Sequence, residues 1–133
     1  FFIYGLLGWC IEVFWTGLGS LVQGKSDLKG WTYLWMLPIY GLAIFLEPIH
    51  NLIRHWPIIL RGGVYTLIIF AIEYLTGYLL KNTIGLCPWD YSKKNYSING
   101  FIRLDYAPAW FMAGLLFERI HNLLSTLILF NKV

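Results

Sequence analysis

Four stretches of the chain are apolar for long enough to cross a lipid bilayer, and polar or proline-bearing segments separate them. Spanning the hydrocarbon takes about 20 residues of helix. The first stretch runs from about residue 1 to 22 and stops at Gln23-Gly24-Lys25-Ser26-Asp27. The second runs from about 31 to 54, with Pro38 and Pro48 inside it. Pro57 breaks the chain before the third, about 58 to 81, and Pro108 opens the fourth, about 108 to 130. Trp31, Trp35, Trp56, Trp89 and Trp110 fall near the ends of these stretches, where an interfacial aromatic belt places them. The pattern predicts an all-α integral membrane protein: an antiparallel bundle of four transmembrane helices forming a single domain over residues 1–133, with a long aromatic-rich loop between helices three and four.

Composition strengthens that picture. The chain is 58% hydrophobic and only 13% charged, whereas soluble domains run near 45–50% and about 25%. A soluble chain of 133 residues could not bury so much apolar surface in one core, so lipid must take the rest. The net charge of +3 is spread among connecting segments without a Lys/Arg run, which excludes a nucleic-acid footprint. Cys10 and Cys87 form no CxxC pair and suggest neither a disulfide framework nor a zinc finger. The chain opens on Phe1 rather than Met, which suggests a trimmed N-terminus. Residues 1–22 lack a basic n-region and carry Glu12, so no cleavable signal peptide is expected. Lys25, Lys29, Lys81, Lys93, Lys94 and Arg103 outnumber Arg54, Arg61 and Lys132, which by the positive-inside rule puts loops one and three in the cytoplasm.

The connection from Asn82 to Ala107 is long for a link between packed helices, and such links often carry function. It holds Cys87-Pro88-Trp89-Asp90-Tyr91, Asn99-Gly100 and Arg103-Leu104-Asp105-Tyr106. Its aromatics suit either an ordered cap on the helix ends or a gate built on Cys87, Trp89, Asp90, Tyr91, Arg103 and Asp105.

Six ionisable residues inside the apolar stretches form an ordered series: Glu12 on helix one, Glu47 and His50 on helix two, Glu73 on helix three, Glu118 and His121 on helix four. An i, i+3 pair shares one helix face, so each Glu-x-x-His can reach one point. Glu12 and Glu73 lie on faces of small residues (Gly5, Gly8, Thr16 and Gly19; Gly62, Thr66, Thr76 and Gly77), which mark close helix approach. A rise of about 1.5 Å per residue puts Glu12, Glu47, Glu73 and Glu118 at depths of about 17, 12–14, 18 and 22 Å. The order Glu, Glu-x-x-His, Glu, Glu-x-x-His is that of ferritin-like di-metal bundles. Four carboxylates balance two divalent cations, with iron or manganese suited ahead of zinc. Uncompensated, each charge costs roughly 2.5–3.5 kcal/mol near the bilayer centre. Two other compensations compete with metal: a polar or proton-linked network drawing on Arg54, Arg61 and Arg119, and a solute pathway.

Several runs carry a family resemblance: Gly8-Trp9-Cys10-Ile11-Glu12, Pro38-Ile39-Tyr40-Gly41, Glu73-Tyr74-Leu75-Thr76-Gly77, Cys87-Pro88-Trp89-Asp90-Tyr91-Ser92 and Arg103-Leu104-Asp105-Tyr106-Ala107-Pro108. Together they resemble the small multi-pass proteins catalogued as type-IV ABC-transporter (CmpB-like) permeases. The transmembrane protein 229 group of animals is similar. The resemblance covers nearly the whole chain and implies a permease-like membrane protein. In the animal group it implies glutamate at the positions of Glu12, Glu47, Glu73 and Glu118, and it does not extend to His50 and His121.

Three functions are therefore in play. The first is a membrane di-metal oxidoreductase with Glu12, Glu47, Glu73, Glu118, His50 and His121 as ligands to two divalent ions, acting on a lipid or quinone-like substrate from the bilayer. The second is a permease-like transporter or transporter subunit that uses the glutamates for cation or proton coupling, in a homo-oligomer or with a membrane partner. The third is a non-catalytic membrane scaffold.

Overall fold

A computed structural model describes residues 1–131, without the side chain of Phe130; Lys132, counted above among the basic residues, lies outside the described residues. Four helical runs among them are long and apolar enough to cross a membrane: Phe2–Val22, Met36–Ile53, Ile58–Ile84 and Leu104–Leu129. Two compact units divide the chain, residues 1–46 and residues 47–133.

The first unit is built on helix α1 (Phe2–Val22) and helix α2 (Met36–Gly41), followed by a 3-10 turn (Leu42–Phe45). A helix was expected from Trp31, but it begins only at Met36. Pro38 lacks an N–H and is tolerated only in a helix's first turn, so the helix can begin no more than a few residues before it. The residues upstream are satisfied otherwise, by a polar stripe on α1. Ser20 Oγ donates to the Lys29 carbonyl (2.8 Å), Thr16 Oγ1 accepts from the Trp31 N–H (2.8 Å), and Trp9 Nε1 donates to the Tyr33 carbonyl (3.0 Å). Non-helical backbone beside a membrane span persists only when its polar groups are met in this way.

The second unit holds most of helix α3 (Leu46–Ile53), helix α4 (Ile58–Ile84), a two-stranded hairpin of β1 (Ser97–Ile98) and β2 (Ile102–Arg103), a 3-10 turn (Leu104–Tyr106) and helix α5 (Ala107–Phe130). Pro48 falls in the first turn of α3 as Pro38 does in α2, and the tightened 3-10 turn sits just before α3. The second expected helix is thus one apolar run in three pieces. Helix α4 passes its expected end at Lys81 because no breaker precedes Gly85, whose φ of 83° ends it.

The hairpin was not anticipated, although Asn99-Gly100 is its signature. Both residues take positive φ (52° and 76°), and the Phe101 N–H closes the turn on the Ile98 carbonyl at 3.1 Å. Helices α4 and α5 run antiparallel, with Tyr65 packed on Gly114 and Arg61 meeting Glu118.

Candidate functional site

Within residues 47–133 the two Glu-x-x-His pairs face each other. Glu118 is 7% exposed and meets three donors or cations. Arg61 lays its fork on it, Nε donating to Oε1 at 2.9 Å and Nη2 to Oε2 at 3.3 Å. The fully buried Tyr65 donates its hydroxyl to Oε1 at 2.8 Å. Because that hydrogen is committed to Glu118, His50 Nδ1 at 3.1 Å from the phenol oxygen must be the donor, which places a hydrogen on Nδ1. His50 Nδ1 also lies 3.4 Å from Glu118 Oε1.

The second pair closes the same network. His121 Nδ1 lies 3.2 Å from Glu47 Oε1, within hydrogen-bond distance, and the Glu47 side chain remains 34% exposed. The two imidazole rings lie 5.1 Å apart, and Phe117 stacks on His121 at 5.9 Å. Each His is therefore held nearer to the other helix's Glu than a pairing within its own helix would suggest. Helix α3 supplies Glu47 and His50, α4 supplies Arg61 and Tyr65, and α5 supplies Glu118 and His121.

Glu73 is elsewhere. Its Oε2 accepts from Trp110 Nε1 at 3.2 Å. Trp110 and Glu118 are eight residues apart on α5, about 12 Å along the axis. The expectation that Glu73 and Glu118 share a level fails because the antiparallel register, set by Tyr65 on Gly114, places Glu118 beside the start of α4 and Glu73 far along it.

Glu12 belongs to the first unit, where its Oε2 accepts from Thr32 Oγ1 (2.6 Å) and Tyr40 OH (2.9 Å). Tyr40 reaches it because its side chain lies directly over Gly8, one turn before Glu12, where a Cβ would overlap it. The same device recurs in the second unit, with Tyr65 over Gly114, one turn before Glu118. Tyr40, Tyr65, Arg61, Thr32 and Trp110 thus complete the carboxylate surroundings. Of these, the sequence pattern singles out Arg61 alone as a partner. A glycine one turn ahead of each of these two glutamates was the available signal for the tyrosines.

Among the described residues no group of three or more His, Cys, Asp and Glu is placed to hold a metal ion. The donor chemistry agrees. Arg61 covers both oxygens of Glu118 and brings a positive charge where a cation would bind, so this arrangement does not fit a dinuclear centre.

The long loop folds onto the far end of α4. Phe101 covers Gly77, Asn99 Nδ2 donates to Tyr74 OH (2.9 Å), and Trp89 Nε1 donates to the Phe101 carbonyl (3.0 Å). The Tyr91 N–H donates to the Gly100 carbonyl (3.0 Å), and hydrogen bonds from Ser92 hold the Asp90 carboxyl below the usual carboxylate range. Arg103 forks onto Asp105 (2.6 and 3.0 Å) while lying 4.2 Å over the Tyr106 ring. Cys87 Sγ donates to the Trp89 carbonyl at 3.0 Å, and burial pushes its thiol up.

Only the thiolate attacks a maleimide. In a Cys10→Ser background, Cys87 is therefore expected to label several-fold more slowly at neutral pH than in the unfolded chain, and faster as pH rises. Phe101→Ala should remove most of that protection. Equal rates for folded and unfolded chain, measured by mass shift over time, would contradict the half-buried placement.

The chain belongs to the family described as "Putative ABC-transporter type IV", which matches residues 1–132. No solved structure matches it. With four helical runs among the described residues long and apolar enough to cross a membrane, it is a multi-pass integral membrane protein of transporter-like kind.

Proposed function

We propose that, as a member of this family, the chain acts as a permease-like transporter subunit whose Glu47–His121–His50–Tyr65–Glu118 network takes up and releases a proton during solute movement. One observation supports this reading above others: acid, imidazole and phenol groups follow one another from a part-exposed carboxylate to a buried one. Imidazole is the side chain whose ordinary range lies closest to neutral pH. A proton arriving at Glu47 can pass to His121 Nδ1 while that imidazole holds its hydrogen on Nε2, and the imidazolium then gives up its other proton across to His50. Tyr65 then links His50 to Glu118, which Arg61 keeps compensated. Membership of a transporter-like family supports the coupling of this movement to a solute. Four spans are few for a lone transporter, so the reading calls for an oligomer or a membrane partner.

The test is proton movement in reconstituted vesicles carrying an internal pH dye and an imposed pH gradient. Wild type should dissipate the gradient, and His50→Gln and His121→Gln should each slow it by about tenfold or more. Equal rates for wild type and both variants would overturn the reading. The same preparation is expected to hold no stoichiometric iron, manganese or zinc by elemental analysis.

A further inference from the structure

Arg119 is a cation inside the apolar run Leu104–Leu129, yet it is exposed and has no ion pair or hydrogen bond among the described residues. Its neighbour Glu118 is not its partner. Successive helical residues point about 100° apart, and Glu118 turns inward to Arg61 while Arg119 turns outward. An Arg in this position calls for an anion, because an uncompensated charge in hydrocarbon is costly and only partly relieved by reaching toward the headgroups.

The surface around it is shaped. An open groove of about 320 Å³ runs beside Arg119. Its lining includes Met112, Leu115 and Leu116 from α5, Ile58 from the start of α4, and Asn122 next to Arg119. On α5 these positions follow one stripe, from Met112 to Asn122, about 15 Å of helix. Met112 is 65% exposed and Ile58 54%, so the apolar part faces outward. The groove is thus apolar along most of its length and carries a cation and an amide at one end. Glu118 borders it too, but with its charge taken up by Arg61 it does not repel an anion.

We infer that this groove binds an anionic phospholipid, with the phosphate of the headgroup on Arg119 and Asn122 and an acyl chain along Leu116, Leu115 and Met112. Charge complementarity selects the lipid: a zwitterionic headgroup brings a positive group that offsets the attraction, and an anionic one does not. The inference stands apart from proton movement: Arg119 takes no part in the relay, and Glu118, the relay side chain that borders the groove, is held by Arg61 and Tyr65.

The test uses the full chain reconstituted with spin-labelled phosphatidylglycerol or phosphatidylcholine, reading the motionally restricted lipid. Phosphatidylglycerol is expected to associate about fivefold more strongly, the scale of one basic residue's attraction for an anionic lipid. Arg119→Gln should abolish that preference and Arg119→Lys should keep it. Arg54→Gln, which removes the exposed cation near the α3–α4 turn, should leave it intact. Leu116→Trp, which fills the apolar wall but leaves Arg119 in place, should lower retention of the labelled lipid. Excess inorganic phosphate should not displace the lipid; displacement would assign the site to a free anion and overturn the proposal. So would equal association of the two lipids in wild type, or a preference that survives Arg119→Gln.

Discussion

Replacing Arg61 with methionine is expected to lower stability by about 3 kcal/mol or more, because it strands the Glu118 carboxylate in a buried site. The fork contacts both carboxylate oxygens; of the contacts that remain, Tyr65 brings a neutral hydroxyl and His50 Nδ1 stands off at 3.4 Å. Arg61 also ties the α3–α4 turn to the network, since its Nη1 donates to the Trp56 carbonyl at 2.7 Å. Arg61→Lys should fall between wild type and methionine, since an ammonium is a point charge without the planar fork. The double change Arg61→Met, Glu118→Leu should recover much of the loss, as replacing a buried pair with apolar groups of similar size often does. Unfolding in detergent, followed by circular dichroism, reads all three. An Arg61→Met protein as stable as wild type would mean that Glu118 does not depend on this cation.

Gly114→Val is expected to destabilise by about 2–3 kcal/mol, the scale of forced overpacking. A Cβ on Gly114 would lie directly against the Tyr65 Cβ and 2.8 Å from its Cγ. These atoms are fixed close to the α4 backbone and cannot swing aside, so the helices must separate. Tyr65 would then move off Glu118, and proton movement should fall with stability. Gly63 supplies the control: nothing lies within 4 Å of a Cβ built there. Gly63→Ala should be neutral or slightly stabilising through helix propensity. Similar melting of Gly114→Val and Gly63→Ala would contradict the close approach of α4 and α5.

Particular residues show how far the fold and site were legible in the sequence. The spans were readable because transfer into hydrocarbon is summed residue by residue along a run. The interruptions at Pro38 and Pro48 were readable as well, since a missing N–H is a local property. What was not readable was where the backbone of residues 29–33 finds its partners. Ser20, Thr16 and Trp9 meet it from the other side of a turn, and no local pattern announces that pairing.

The candidate site divides in the same way. That Glu47 and His50 share a face, and Glu118 and His121 another, follows from helical period alone. That the two faces meet is a tertiary fact, as is the separation of Glu73 from Glu118 by two helical turns. Depth counted along each helix separately could not find it, because register between helices is set by which side chain seats on which glycine.

Four apolar runs long enough to cross a membrane, and the ionisable residues that recur within them, can be read along the chain, because both depend on composition and short-range spacing. How the charges are compensated emerges only once the helices pack. The guanidinium that meets Glu118 comes from Arg61, 57 residues away, and Tyr65 reaches the same carboxylate because Gly114 lets α4 approach. Compensation of a buried charge depends on distance and reach in space, which local patterning does not encode.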